Sequence, residues 1–182
     1  MTFQLVEPIL LIGLGGVGAR LAEKAKKSLN SDCLLISHDQ KDLTIENSIK
    51  ISTKSVVNPS THLIRGSALE TSDEIKKNIA NHSTVILMSN LAGKAGTGIG
   101  PIVSRICKQE QKNLLSFVVM PFKFEKERIF QSGIALKRIR QDSQCTIVVD
   151  NDALLDSNPD LTQNQCYDIS NKAIESMMHS LK

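Results

Sequence analysis

The sequence Ile9-Leu10-Leu11-Ile12-Gly13-Leu14-Gly15-Gly16-Val17-Gly18 opens the first organised part of the chain. Four consecutive apolar residues between Pro8 and Gly13 read as a buried strand. From Val17 to Leu29, apolar Val17, Leu21, Ala25 and Leu29 recur every four residues and share one helical face. Cys33 to Ile36 form a second strand that ends at Ser37-His38-Asp39. The unit is strand, glycine turn, helix, strand, as a parallel crossover requires. In such a loop Gly13 permits the turn off the strand and Gly15 lets backbone approach an anion. Gly18 permits close helix-to-sheet packing, while N–H groups around Gly16 and Val17 face a phosphate. The same pattern also suits a tight turn with no ligand, because a lone GxGxxG is weak.

A second glycine stretch follows a second such strand. Thr84 to Met88 is the next strand candidate, and Ala92-Gly93-Lys94-Ala95-Gly96-Thr97-Gly98-Ile99-Gly100 comes after it. Pro101 suits the first turn of the helix carrying Ile102, Val103 and Ile106. The order of residues around Lys94 is not that of a P-loop, GxxxxGK[ST]. Lys94 is either a solvated lysine or a cation near phosphate. Two anion-cradling loops at one sheet edge, with the Thr97 hydroxyl, fit a nucleotide whose phosphates are clamped from both sides.

Outward from these loops, the pattern is poor from Gln40 to Ser72, with short strand candidates at Ile49 to Ile51 and Ser55 to Val57. A helix is expected over Ser72 to Ala80, with Ser72 as its cap. Leu114 to Met120 and Cys145 to Val149 are strands flanking a charged helix from Glu125 to Gln141. Asn151-Asp152 and Asn158-Pro159 punctuate a connection. A last helix, capped by Thr162 or Asn164, carries Cys166, Ile169, Ala173, Ile174, Met177 and Leu181. Strands alternating with helices predict a three-layer, doubly wound, mostly parallel α/β sheet. One domain is expected over 1–182, ending in the long helix 162–182.

The composition narrows the function. With 3% aromatic residues and no tryptophan, the core must be aliphatic, which suits strands buried on both faces. The net charge of +3 is spread without a basic tail or interleaved aromatics, so nucleic acid is not an expected partner. Cys33, Cys107, Cys145 and Cys166 form no CxxC pair and read as free thiols of a reducing, cytoplasmic compartment. There is no apolar run of about 20 residues and no secretion signal pattern. His38, His62, His82 and His179 show no metal-ligand spacing. Any metal is expected to be magnesium carried by phosphates.

Other residues have two readings each. Asp39, just past the second strand, can meet a ribose or cap a turn. Glu125 and Arg128 follow the fourth strand at the same sheet edge and can meet ribose or phosphate. Tyr167 and Asn171 lie one helical turn apart, so an aromatic plane and an amide can read a base, or the tyrosine can simply pack its helix.

Taken together, Gly13 to Gly18, Ala92 to Gly98 with Pro101, Pro121-Phe122-Lys123-Phe124-Glu125, Asn151-Asp152, and Tyr167 with Asn171 resemble the nucleotide-binding half of the FtsZ/tubulin family. The resemblance implies GTP or GDP as ligand, with Gly13, Gly15, Gly16, Val17, Gly18, Gly93, Lys94, Ala95, Gly96, Thr97 and Gly98 around the phosphates. It places Glu125 at the ribose, Arg128 near it, Tyr167 and Asn171 on guanine, and Asp39 in a loop near the nucleotide. Its loop for the third phosphate has no clear counterpart between Arg65 and Ser72, where only Gly66 remains. The family's second domain and acidic loop do not appear in the chain, so weak hydrolysis alone and monomers, simple dimers or capping of a full-length FtsZ-like protein are expected. A dinucleotide oxidoreductase fragment and a nucleotide-free interaction module remain the alternatives.

Overall fold

The computed structural model describes residues 3–54 and 57–181. Strands β1 (Ile9–Leu14), β2 (Asp32–Ser37), β3 (Ser48–Lys50), β4 (Thr84–Asn90), β5 (Asn113–Met120) and β6 (Cys145–Asp150) form one sheet. Their order is β3-β2-β1-β4-β5-β6, and every neighbouring pair is parallel. Between them run helices α1 (Gly15–Leu29), α2 (Thr61–Glu70), α3 (Ser72–Ile79), α4 (Lys94–Gln109), α5 (Lys126–Asp142), α6 (Asn151–Ser157) and α7 (Gln163–His179). This is the expected three-layer, doubly wound α/β fold.

The two-residue period of each strand divides the core. Leu10, Ile12 and Leu14 of β1 pack with Ile64 of α2, Ile75 and Ile79 of α3, and Ile99 and Val103 of α4. Ile9 and Leu11 face the other way, onto Leu21, Ala25 and Leu29 of α1 and Ile174 and Met178 of α7. Central strands covered on both faces must be apolar throughout, which explains the unbroken run of β1. Each large aliphatic side chain buried this way contributes about 1.5–3 kcal/mol.

Several local expectations are corrected. The stretch from Thr61 to Glu70 is a helix, capped by Ser60, whose Oγ accepts from the N–H of Leu63. Only Ile64 and Ala68 are buried in it, too sparse a pattern to read as an amphipathic face. Ser72 does not cap α3; its hydroxyl donates to carbonyls at the end of α2. The strand candidate at Ser55 to Val57 lies, for Ser55 and Val56, outside the described residues. Asn151-Asp152 begins α6 instead of punctuating a loop. In α7, Thr162 and Gln165 form a reciprocal capping box. The buried residues of α7 are Cys166, Ser170, Ile174 and Met178, whereas Ile169 is exposed.

Pro101 lies well inside α4, not in its first turn. Its ring removes the N–H that would have bonded the Thr97 carbonyl. Arg65 of α2 reaches that carbonyl with Nη2 at 3.4 Å. The guanidinium thus meets an acceptor that the proline leaves open within the helix.

Two glycine substitutions separate close packing from propensity. A Cβ on Gly18 would lie 2.5 Å from the Met88 carbonyl oxygen, which belongs to a central strand and cannot retreat. Gly66 lies within α2, and a Cβ there meets nothing within 4 Å. In urea denaturation, Gly18→Ala is expected to lose about 1–3 kcal/mol, and Gly66→Ala to gain about 0.5–1 kcal/mol.

Candidate binding cleft

β1 is flanked by β2 on one side and β4 on the other, so the crossovers diverge between β1 and β4. Open α/β sheets leave a crevice at this point, outside the carboxyl ends of the strands. Both glycine loops open into it. The turn itself falls at Gly15, whose φ of +64° lies in the left-handed region. Gly13 is inside β1, where its missing Cβ makes room for the Gly18 carbonyl. The turning role expected of Gly13 therefore belongs to Gly15.

Helices α1 and α4 both begin without a side-chain cap and without an acidic residue in the first turn. Their N-caps are Leu14 and Gly93. The open N–H groups and positive dipole ends of two helices converge here, as anion binding requires. Between them lies a small cavity of about 150 Å³ lined by Gly15, Gly16, His38, Asp42, Lys94 and Gly96, among others. A Cβ on Gly96 would stand 2.2 Å from the Asn90 carbonyl oxygen, so only glycine allows α4 to start this close to β4.

Two larger spaces lie beside this cavity. One branch, about 580 Å³, reaches Arg20, Arg128, Tyr167 and Asn171. The other, about 470 Å³, runs past Thr61, Thr97, Glu127 and Gln131. Gly93 borders all three spaces, which therefore adjoin one another along the carboxyl edge.

The wall around Tyr167 is built by hydrogen bonds after β5 and β6. Asn151 Nδ2 donates to the Met120 carbonyl, and Ser170 Oγ donates to Asn151 Oδ1 at 2.5 Å. Asp152 Oδ2 accepts from the Lys123 N–H. These bonds tie α7 to the segment Pro121–Glu125. Phe122, fully buried, packs perpendicular to Tyr167 at 5.4 Å between ring centroids and stacks on Phe124 at 5.1 Å. Asn171 Oδ1 is buried and has no hydrogen-bond partner among the described residues.

The expected site residues fall into three groups. Gly15, Gly16, Val17, Gly93, Lys94, Ala95, Gly96, Thr97, Arg128, Tyr167 and Asn171 line the cleft. Gly13, Gly18 and Gly98 meet neighbouring backbone or side chains, Gly98 packing against Ile64 and Thr61 of α2. Asp39 and Glu125 have carboxylates engaged in their own loops. Asp39 caps the short turn Gln40–Asp42 through the Lys41 N–H, while Glu125 accepts from the Phe122 N–H at 3.0 Å and from Arg128 Nη1 at 2.8 Å. The Thr97 hydroxyl, expected to face phosphate, is turned toward the Leu91 and Gly93 carbonyls.

Sequence reading missed Arg20, His38, Asp42 and Asn164 as lining residues. Arg20 stands one turn beyond Gly16 on α1, a helical spacing that could have signalled it. The segment between Arg65 and Ser72, searched for a third loop, is helix and junction. Asn58 and Pro59 instead approach the cradle, accepting from Lys94 Nζ at 2.6 and 3.0 Å. Among the described residues, no cluster of three or more His, Cys, Asp or Glu is placed to hold a metal ion, and no helix is long and apolar enough to cross a membrane.

Sheet order and cleft define a doubly wound α/β domain with a crevice at its topological switch point, faced by two uncapped helix N-termini. The chain belongs to the tubulin/FtsZ family: the family model for its GTPase domain matches residues 60–159. A cell division protein FtsZ 2 from Halobacterium salinarum is 26% identical over 178 residues, spanning 91% of this chain and 44% of that protein. A cell division protein FtsZ from Haloferax mediterranei is 34% identical over 116 residues, 63% of this chain and 30% of the relative. The chain spans about half the length of curated relatives that match it over nine-tenths or more of its own length. The fold is that of an FtsZ dimer structure from M. jannaschii, with TM-score 0.82 and 22% identity over 96% of this chain and 54% of the other. A CetZ from Methanosaeta thermophila superposes with TM-score 0.72 at 17% identity, covering 92% and 51%.

Tyr167 is the sole tyrosine, so its phenol can be titrated directly. Burial raises its pKa above the usual tyrosine value, the Glu125 carboxylate raises it further, and Arg128 opposes them. Ultraviolet difference titration is expected to give a midpoint above that of free tyrosine. Glu125→Gln should move the midpoint down, because a negative neighbour is lost.

Proposed function

We propose that the chain binds GTP or GDP along this cleft and works in or on a division or cytoskeletal filament. The observation that carries the reading is the adjacency of these spaces along one sheet edge. They have the first-turn amides of α1 and α4 at one end and Tyr167 and Asn171 at the other. Phosphate oxygens find N–H donors and two helix dipoles near Gly15–Val17 and Gly93–Gly96. A base in the larger branch meets the ring of Tyr167, which packs perpendicular to Phe122. Asn171 lines the same branch, and its buried, unpaired Oδ1, once turned toward that space, is an acceptor suited to the N–H groups that guanine carries on its Watson–Crick edge. Adenine presents an acceptor at that ring nitrogen, so the same oxygen discriminates against it.

Gly13, Gly18 and Gly98 serve the site by letting its helices approach, and Asp39 and Glu125 serve it by shaping the loops. Arg128, held by Glu125, borders both larger branches and supplies positive charge there. Magnesium would enter on the phosphate oxygens with its waters, which asks for little dedicated protein coordination. Hydrolysis needs an oriented water as well as bound phosphate. In this reading an acidic loop from a partner, a full-length FtsZ-like protein, supplies that orientation, and the isolated chain turns over slowly as a monomer or weak dimer. The domain 1–182 acts as the nucleotide-holding unit. Membership of the tubulin/FtsZ family and the phosphate loop after β4 leave the dinucleotide alternative without support.

Calorimetry is expected to show GTP and GDP binding; absence of heat at about 100 µM nucleotide would overturn the proposal. Tyr167→Ala is expected to weaken binding by about 1–3 kcal/mol, roughly five- to 150-fold, with Tyr167→Phe retaining most of it. Asn171→Ala should narrow the preference for GTP over ATP. Fast GTP turnover by the isolated chain would contradict the need for a partner.

A further inference from the structure

His38 lies just beyond β2 and lines the small cavity closed by the two glycine loops. Its Nδ1 is buried and has no hydrogen-bond partner among the described residues. A buried ring nitrogen without a partner is uncommon and asks what satisfies it. Three charged side chains act on the ring. Asp39 and Asp42 approach from the turn after β2, and Lys94 from the first turn of α4. Each of the three is engaged elsewhere: Asp39 with the Lys41 N–H, Asp42 with Ser37 Oγ at 2.6 Å, and Lys94 with Asn58 and Pro59. The start of α1 adds the positive end of a helix dipole to the same cavity.

In this cradle the imidazole is held below its ordinary pKa, first by burial and further by Lys94, with both aspartates opposing. A polyphosphate placed against the ring reverses the balance. Its charge favours the imidazolium, in which both ring nitrogens carry a proton and the one facing the cavity can donate to a phosphate oxygen. We propose that His38 is a phosphate ligand of the cradle and takes a proton from solvent as the polyphosphate chain binds. This rests on the nucleotide reading of the cleft and adds to it a proton and a named side chain.

The sign follows from linkage. A group whose pKa is higher in the bound state strengthens binding fully below its free-state pKa. That contribution is lost as pH rises through the bound-state pKa. The terminal phosphate ionises near pH 6 and pulls the other way, so the comparison must be with a variant that lacks the imidazole. His38→Gln keeps a polar side chain of similar reach without a group that titrates in this range.

The test is calorimetry of GTP and of inorganic tripolyphosphate with wild type and His38→Gln, from about pH 6 to about pH 8. Buffers of differing ionisation heat report the protons taken up. Wild-type affinity is expected to fall with pH relative to the variant, by about tenfold for each unit that the His38 pKa rises on binding. Proton uptake should largely disappear in the variant. In wild-type NMR, the imidazole signal missing from the variant should shift its titration upward with either ligand. Identical pH profiles and proton uptake in the two proteins would overturn the His38 assignment and leave nucleotide binding intact. Tripolyphosphate binding with proton uptake, but no GTP binding, would support His38 and overturn the base reading. Binding of neither ligand would overturn both.

Discussion

β4 is gripped from both sides by helices that reach its backbone. Gly18 of α1 stands where any Cβ would press on the Met88 carbonyl, and Gly96 of α4 where it would press on that of Asn90. Both carbonyls belong to one central strand, so neither helix can back away without lifting off the sheet. This double approach brings two helix N-termini together at one crevice. With side chains at these glycines the helices would separate, and the first-turn amides would no longer address one ligand. Close packing is therefore the precondition for the electrostatics.

The far wall depends on polar contacts of another kind. Asn151 and Asp152 begin α6, and both side chains are turned inward, to Met120, Ser170 and Lys123. Buried amide and carboxylate groups would be destabilising if unpaired, so a satisfied network fixes a single arrangement. It fixes α7 relative to the loop after β5, and hence Tyr167 relative to Phe122. An aliphatic core holds the sheet, while a small polar network holds the Tyr167 wall at its distance from the two glycine loops.

The two ends differ in how they meet a ligand. The cradle presents mainly backbone donors, which are indifferent to the base and preorganised by the helices. The opposite end presents side chains, a half-buried phenol and an amide with one unpaired oxygen. In the proposed reading, base recognition therefore falls to α7 and phosphate affinity to the loops. The family model covers the segment from the entry of α2 to the end of α6, which includes the second glycine loop but neither the first nor α7.

The fold was legible because its signals are local. The apolar runs of β1, β4 and β5 and the glycines following β1 and β4 show in a few consecutive residues what each segment must do. Helices α2 and α6 escaped notice because Ile64 and Ala68, or Asn151 and Asp152, acquire meaning only against other elements. Within the site, sequence alone specified both glycine loops and the Tyr167–Asn171 pair, through strand-turn-helix grammar, helical spacing and a recognisable set of motifs. It did not distinguish Gly15, which turns, from Gly13, which is packed against. Nor did it foretell that Asp39 and Glu125 serve their own loops while His38 and Asp42 face the cradle. Those outcomes depend on which atoms of distant segments arrive within hydrogen-bonding reach, and that is settled only when the sheet brings the ends of β1, β2 and β4 side by side.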